Sequence, residues 1–415
     1  MKKCLLGLLI LFTINITAEE YNSSIEESKL SQILKNGIFS TDLEVFYMDR
    51  SFDKDKSSIP NTKALTVGGI LKYESDNSNK FKFGFAYYGS HKIGDLFTRE
   101  EGTKTNLLQS NGDDVAFLGE AYFQYTLNNI MFKIGRQRLS TPLINDHDLR
   151  LLPSVYEAAI IKNENLSNTL LEMGYLKRYS GFVSKLSKFD NQDNKWGKDG
   201  LGYMYIKNNS VKNLTLNAQY IKALSNVNKE GAPISIQDYK NLDMKYDFFI
   251  GNDTYLQAQY GGNSYKSASD SSLFGLKLGT NLYNNTSIVF LYNKITGNEF
   301  KVVEAGPVYS DWFQGYNNFE ESQALGGQVT FNINKDLSTT LGYVQVESFN
   351  KKNVDDFNEL IFDGKYNIDN NSKIRVIYSK KDQSNASEQL RYDNDILNGG
   401  NEDRNDFRII YSLSF

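Results

Sequence analysis

FRIIYSLSF, residues 407–415, alternates without a break. Phe407, Ile409, Tyr411, Leu413 and Phe415 fall on one face of an extended chain, and Arg408, Ile410, Ser412 and Ser414 on the other. Period-two alternation is the mark of a strand with one apolar face. The same pattern recurs upstream. Leu214, Leu216, Ala218 and Tyr220 oppose Thr215, Asn217 and Gln219; Leu242, Met244, Tyr246 and Phe248 oppose Asp243, Lys245 and Asp247; Val329, Phe331 and Ile333 oppose Gln328, Thr330 and Asn332.

Extending this reading predicts about eighteen strands, at 41–48, 64–73, 80–88, 116–127, 130–136, 156–162, 168–178, 199–207, 213–221, 239–248, 253–261, 272–280, 286–293, 323–332, 337–345, 358–367, 371–379 and 405–415. The connections decide how they close. Short Asn/Asp/Ser turns (74–79, 127–129, 163–167, 208–212, 281–285, 333–336 and 368–370) alternate with long polar loops (49–63, 89–115, 137–155, 179–198, 222–238, 294–322 and 380–404). Short turns on one rim and long loops on the other define an all-β, up-and-down antiparallel transmembrane barrel. Proline tests this independently, because its ring nitrogen cannot donate to a ladder. Pro60, Pro142, Pro153, Pro233 and Pro307 all fall in the long loops.

Composition agrees. Mean hydropathy is negative, yet aromatics reach 13 %, nearly all Tyr (27) and Phe (26), as two-faced strands require. Met1-Lys2-Lys3, an apolar run from Cys4 to Ile16 and Thr17-Ala18 read as an export signal over residues 1–18, cleaved after Ala18. Residues 19–37, with Ser24 and Glu27 at capping-box spacing and Gly37 as a stop, predict a short periplasmic helix. The barrel takes residues 38–415. The sole cysteine lies in the leader, so the mature chain has no disulfide. Loss of Lys2 and Lys3 takes the formal charge from −4 to −6, which argues against a nucleic-acid partner.

An eighteen-stranded barrel leaves an aqueous channel, so function rests on what narrows it. An arginine on the lipid face costs about 2–4 kcal/mol at mid-membrane, which turns Arg408 into the lumen. Lys373 and Arg375 lie on the inner face of the preceding strand. The three form a basic column. Like charges about 4 Å apart repel by roughly 1–4 kcal/mol between water and an effective dielectric of 20, so such a column points to function rather than stability.

Two loops are candidate constrictions. GRQRLSTPLINDHDLRLLP (135–153) carries Arg136 and Arg138 near the wall and Asp146 and Asp148 further out. VVEAGPVYSDWFQGYNNFEE (302–321) carries Glu304, Tyr309 and Asp311. Prolines stiffen both. Loop acids facing wall bases would set up a transverse field that orients carboxylates or zwitterions.

LEVFYMDRSFD (43–53), FKIGRQRLSTPLINDHDLRLLPSVYEA (132–158), PVYSDW (307–312) and NEDRNDFRIIYSLSF (401–415) together resemble the OprD-type substrate-specific porins of Gram-negative outer membranes. The resemblance implies an outer-membrane porin for passive diffusion of ions and small polar solutes such as amino acids or small carboxylates. It implies an inward-folded third loop and a basic ladder on Lys373, Arg375 and Arg408, with Lys133 and Arg136 beside that loop. Substrate contacts fall on Tyr309 and Asp311. A further ladder arginine on the fourth strand meets Thr126 or a neighbour instead.

The expected partners are outer-membrane lipid and lipopolysaccharide, the barrel assembly machinery and small polar solutes; monomer and homotrimer both remain open. No cofactor and no catalytic residue are assigned. The two histidines, His91 and His147, stand in loops without a nucleophile–base pair. Asp146, His147 and Asp148 would need help from Asp311 or Glu304 to hold a divalent cation, and no metal set is assigned. The rival readings are a plugged barrel serving as adhesin or receptor, and an outer-membrane hydrolase.

Overall fold

The computed structural model describes residues 36–415, except 53–60, 77–79, 95–104, 106, 110, 147–149, 182–188, 190–195, 229, 249–252, 284, 304–307, 311–318, 350–355 and 384–402. The expected leader and short helix lie outside the described residues. Eighteen strands follow in chain order: β1 (Ile38–Phe52), β2 (Thr62–Glu74), β3 (Phe81–Lys92), β4 (Val115–Leu127), β5 (Ile130–Gln137), β6 (Val155–Asn163), β7 (Thr169–Ser180), β8 (Leu201–Asn208), β9 (Leu214–Ala223), β10 (Ile236–Asp247), β11 (Tyr255–Tyr265), β12 (Ser271–Tyr283), β13 (Thr286–Gly297), β14 (Ser322–Asn332), β15 (Leu337–Ser348), β16 (Phe357–Asn367), β17 (Ser372–Gln383) and β18 (Arg404–Ser414). Each pairs antiparallel with its sequence neighbours, and β1 pairs with both β2 and β18. The sheet is a closed barrel with no free edge. Among the described residues no helix is long and apolar enough to cross a membrane; the wall crosses with strands.

Several strands run further than expected at the long-loop rim. Residues 41–48 become Ile38–Phe52, and 371–379 become Ser372–Gln383. Alternation of apolar and polar side chains reports only the lipid-facing stretch. Above it both faces meet water while the backbone ladder continues. The long-loop rim also has nine connections rather than seven, the two additional ones being 266–270 and 349–356.

The short-turn rim shows why its sequence is rich in asparagine. Asn128 and Asn129 join β4 to β5 with φ of 48° and 60°, a two-residue hairpin in the left-handed region. Asparagine tolerates that conformation, and its twist matches the flanking strands. Above this rim, outward aromatics pack side by side: Phe39 on Tyr73 at 4.9 Å, Tyr73 on Phe85 at 5.5 Å and Phe81 on Phe123 at 5.6 Å. Such a girdle marks a membrane interface.

The two faces of the wall separate as the alternation predicts. Phe407, Ile409 and Tyr411 are exposed on the outside, whereas Arg404, Asp406 and Arg408 are buried inside. The largest apolar cluster lies within the barrel's upper half. Leu143 and Ile144 of the third loop join Tyr156, Tyr179, Trp196, Ile221, Tyr239, Ile295, Phe300 and Val303 there. A second cluster packs Leu151 and Leu152 of the same loop against Phe46, Met48, Ile377 and Ile410. The third loop therefore crosses the lumen, with its tip and its return limb anchored on different parts of the wall.

Candidate functional site

The tip of the third loop is a tight turn. Thr141 and Ile144 exchange backbone hydrogen bonds of 2.6 and 3.2 Å around Pro142. Gln219 of β9 holds it from both sides: its Oε1 accepts from the Leu143 amide at 2.7 Å and its Nε2 donates to Thr141 Oγ1 at 2.8 Å. The amide of Val303, in the seventh loop, donates to the Leu143 carbonyl at 3.1 Å. Further back, Arg138 clasps Asp146 at 2.6 Å, and Tyr156 donates its hydroxyl to the Asn145 carbonyl at 2.5 Å. The loop is thus fixed over residues 138–146, and Arg138 and Asp146 neutralise each other within it.

The return limb brings Arg150 to the wall formed by β16, β17, β18 and β1. Arg150 is buried and lies within electrostatic reach of Asp406. On that wall Asp406 accepts from Arg50 at 2.9 Å and from Arg408 at 2.5 Å. One register step higher Arg404 stands beside Lys381, and Lys381 beside Glu359. Glu359 accepts from Ser379 at 2.7 Å, and the Lys381 ammonium lies 4.3 Å from the Phe357 ring centroid. Lower down, Arg375 makes a two-pronged contact with Asp363 at 2.9 and 3.0 Å. Lys373 is exposed near the short-turn rim.

Arg375 and Arg408 stand on one wall, but not as a bare stack of like charges. Asp363, Asp406 and Glu359 are interleaved with them, and Arg50, Arg150, Lys381 and Arg404 extend the row upward. Alternation in RNDFR alone puts Arg404, Asp406 and Arg408 on one face. That signal could have found Arg404 and Asp406; Arg50 and Arg150 come from distant segments and needed the closed sheet.

Lys133 faces the lumen in a different cluster. Its ammonium sits 3.7 Å from the Tyr122 ring centroid, in a network where Lys72 pairs with Glu120 at 3.3 Å and Lys82 with Glu74 at 3.0 Å. Tyr122 donates its hydroxyl to Glu74. The inner face of β4 offers Glu120, Tyr122, Gln124 and Thr126 and no arginine.

Arg136 corrects the sequence reading. It shares strand parity with the exposed, lipid-facing Phe132 and Ile134, and the register turns it outward against Glu157 at 3.1 Å. The alternation of FKIGR already separated it from Lys133. Its position beside the loop obscured this.

Opposite the charged wall stands one of amides. β10 lies nine strands from β1 in either direction. Asp243 of β10 accepts from Gln257 Nε2 at 2.9 and 2.8 Å, from Asn217 at 3.4 Å and from the Tyr309 hydroxyl. Gln259 donates to Asn241 at 3.0 Å, and the Ser310 amide donates to Asn293 at 2.7 Å. Tyr309 belongs to the seventh loop. Burial and the Asp243 carboxylate raise its phenol above the usual tyrosine range, so it stays a donor. Lys277 lies 5.3 Å from its ring centroid. Asp148, Glu304, Asp311 and His147 lie outside the described residues. Among the described residues no cluster of His, Cys, Asp and Glu could hold a metal ion.

A charged wall, an amide wall and a pinned loop between them describe a narrowed channel. The sequence matches the OprD family of outer membrane porins over residues 34–343, three quarters of the chain. The protein belongs to that family, whose fold is that of a channel in the bacterial outer membrane. Solved structures agree in fold. Pseudomonas aeruginosa OpdO superposes with a TM-score of 0.73 at 14 % identity, covering 92 % of this chain and 98 % of its own. P. aeruginosa OpdK, crystallised with vanillate, gives 0.74 at 14 % identity, covering 92 % and 99 %. Acinetobacter baumannii OccAB1 gives 0.71 at 14 % identity, covering 94 % and 99 %. A comparison with curated protein sequences found no match.

Proposed function

We propose that this porin passes small carboxylates, including zwitterions such as amino acids, between the Arg150 limb of the third loop and the β16–β18–β1 wall. The carrying observation is the charge balance there. Arg50, Arg150, Arg375, Lys381, Arg404 and Arg408 stand with Glu359, Asp363 and Asp406, six of the named cations to three of the named anions. A carboxylate entering this strip meets guanidinium groups, whose planar fork matches its two oxygens. The partners Asp406 and Glu359 keep the strip from holding an anion too tightly to release, as conduction requires.

Tyr309 and the amides around Asp243 supply donors and acceptors of low net charge on the other side. A zwitterion would turn its carboxylate to one wall and its ammonium toward Asp243. The vanillate in the OpdK structure is itself a carboxylate, which favours this class. The test is a planar bilayer with the purified protein in a salt gradient. Anion-preferring reversal potentials, and block by benzoate-type or amino-acid solutes but not by neutral sugars, are expected. Equal block by sugars and carboxylates would overturn the reading.

A further inference from the structure

The outer wall carries a feature that the channel does not use. Over β5–β9 the lipid-facing surface is indented by a groove of about 600 Å³. Ala159 and Gly202 leave its floor low, and Phe132, Ile161, Met173, Tyr175, Met204 and Tyr220 form its sides. Met173, Met204 and Tyr220 are exposed. Five strands at about 4.8 Å spacing give a width of roughly 19 Å, broad enough for more than one acyl chain.

The groove is capped by cations at its long-loop end. Lys222 is part of its lining. Glu157 lies two residues beyond Ala159, and Arg178 three beyond Tyr175, so both stand about 7–10 Å along the strands from the groove. Glu157 bridges Arg178 at 2.6 Å and Arg136 at 3.1 Å, holding two guanidinium groups side by side on the outer face. Arg136 is steadied further by the Leu118 carbonyl at 3.2 Å and by the Phe189 ring at 4.1 Å. Lys177, at the bulge between Leu176 and Arg178, is exposed and donates to the Lys198 carbonyl at 3.1 Å. Arg136, Lys177, Arg178 and Lys222 against Glu157 leave three net positive charges; Asp238 and Lys240 on the next strand pair with each other at 3.2 Å. All of these residues lie at the long-loop ends of their strands. That is the extracellular side of the barrel.

We propose that this groove and its cap bind one phosphorylated, multiply acylated lipid of the outer leaflet, of the lipid A class. The acyl chains would lie over Ala159 and Gly202, and a phosphate would bridge Arg178 and Lys222. An anionic headgroup directly above apolar chains fits a basic cap directly above an apolar groove, and paired arginines suit a phosphate. The proposal concerns the outer face and is independent of the solute that the channel passes.

The test is native mass spectrometry of the full-length protein in detergent after exhaustive delipidation. It is titrated separately with diphosphorylated lipid A, phosphatidylglycerol and inorganic phosphate. One lipid A per chain, bound in preference to phosphatidylglycerol, is expected. An R178Q/K222Q double variant should bind lipid A at least about tenfold more weakly. Gly202→Leu, which fills the groove and leaves every charge in place, should also weaken it. Both variants should keep heat-modifiable gel mobility and wild-type conductance, since none of the three positions faces the channel. Equal binding of lipid A and phosphatidylglycerol, saturation by phosphate alone, or unchanged affinity in both folded variants would each overturn the proposal.

Discussion

The two walls of the constriction are built from different chemistry on the same ladder. On the β16–β18–β1 side, buried guanidinium groups and carboxylates are held by one another: Arg50 and Arg408 by Asp406, Arg375 by Asp363. On the β10–β13 side the groups are mostly amides, with Asp243 enclosed by Gln257, Asn217 and Tyr309. A buried charge needs its partner to offset desolvation, whereas an amide needs only a hydrogen bond. The charged wall should therefore be brittle and set the ion preference, and the amide wall should be tolerant and set the fit.

The sharpest way to break that contrast is Asp406→Asn. It leaves Arg50 and Arg408 buried beside a neutral amide, and the loss of one partner from such a group costs about 3–5 kcal/mol. Urea unfolding followed by gel mobility should show that loss. A shift no larger than the one for Asp243→Asn would remove the distinction between the walls.

The next largest effect is on permeation. Arg404→Ala, near the top of the charged wall, should lower the anion-to-cation permeability ratio by about fivefold, the equivalent of roughly 1 kcal/mol of charge interaction. Reversal potentials measure it directly, and an unchanged ratio would remove the wall from selectivity.

Gln219→Ala tests the loop between the walls. It deletes both hydrogen bonds that pin Thr141 and Leu143, at about 1–3 kcal/mol for a donor left unmet. Noisier and larger single-channel currents are expected, with ion preference kept.

The smallest effect belongs to Tyr309→Phe. Removing one hydroxyl from the amide wall should cost about 0.5–1.5 kcal/mol and alter block by zwitterions more than conductance of simple salts.

How far these walls were legible in the sequence differs residue by residue. Arg408 was placed in the lumen by alternation alone, because the energetic penalty on the lipid face allows one answer. For Arg136 that penalty points inward and its place beside the third loop suggests the channel, whereas the alternation of FKIGR points outward. In the structure its parity with Phe132 and Ile134 prevails. Asp363, Asp406 and Glu359 carry no sign in a pattern read by basic charge, because their role depends on which strands neighbour which. Gln219 had no local signal: its partners lie 76 and 78 residues away.

The sequence by itself determined the barrel, its strand count and the face each strand presents. Those follow from short-range rules: period-two burial, left-handed asparagine turns and the exclusion of proline from ladders. Only the tertiary structure decided that the third loop crosses the lumen to Gln219 and returns with Arg150 to Asp406. It also decided that the charged strip is made by strands from both ends of the chain, since β1 and β18 meet only when the sheet closes. Contacts between residues hundreds of positions apart are set by register and closure, and no local pattern encodes either.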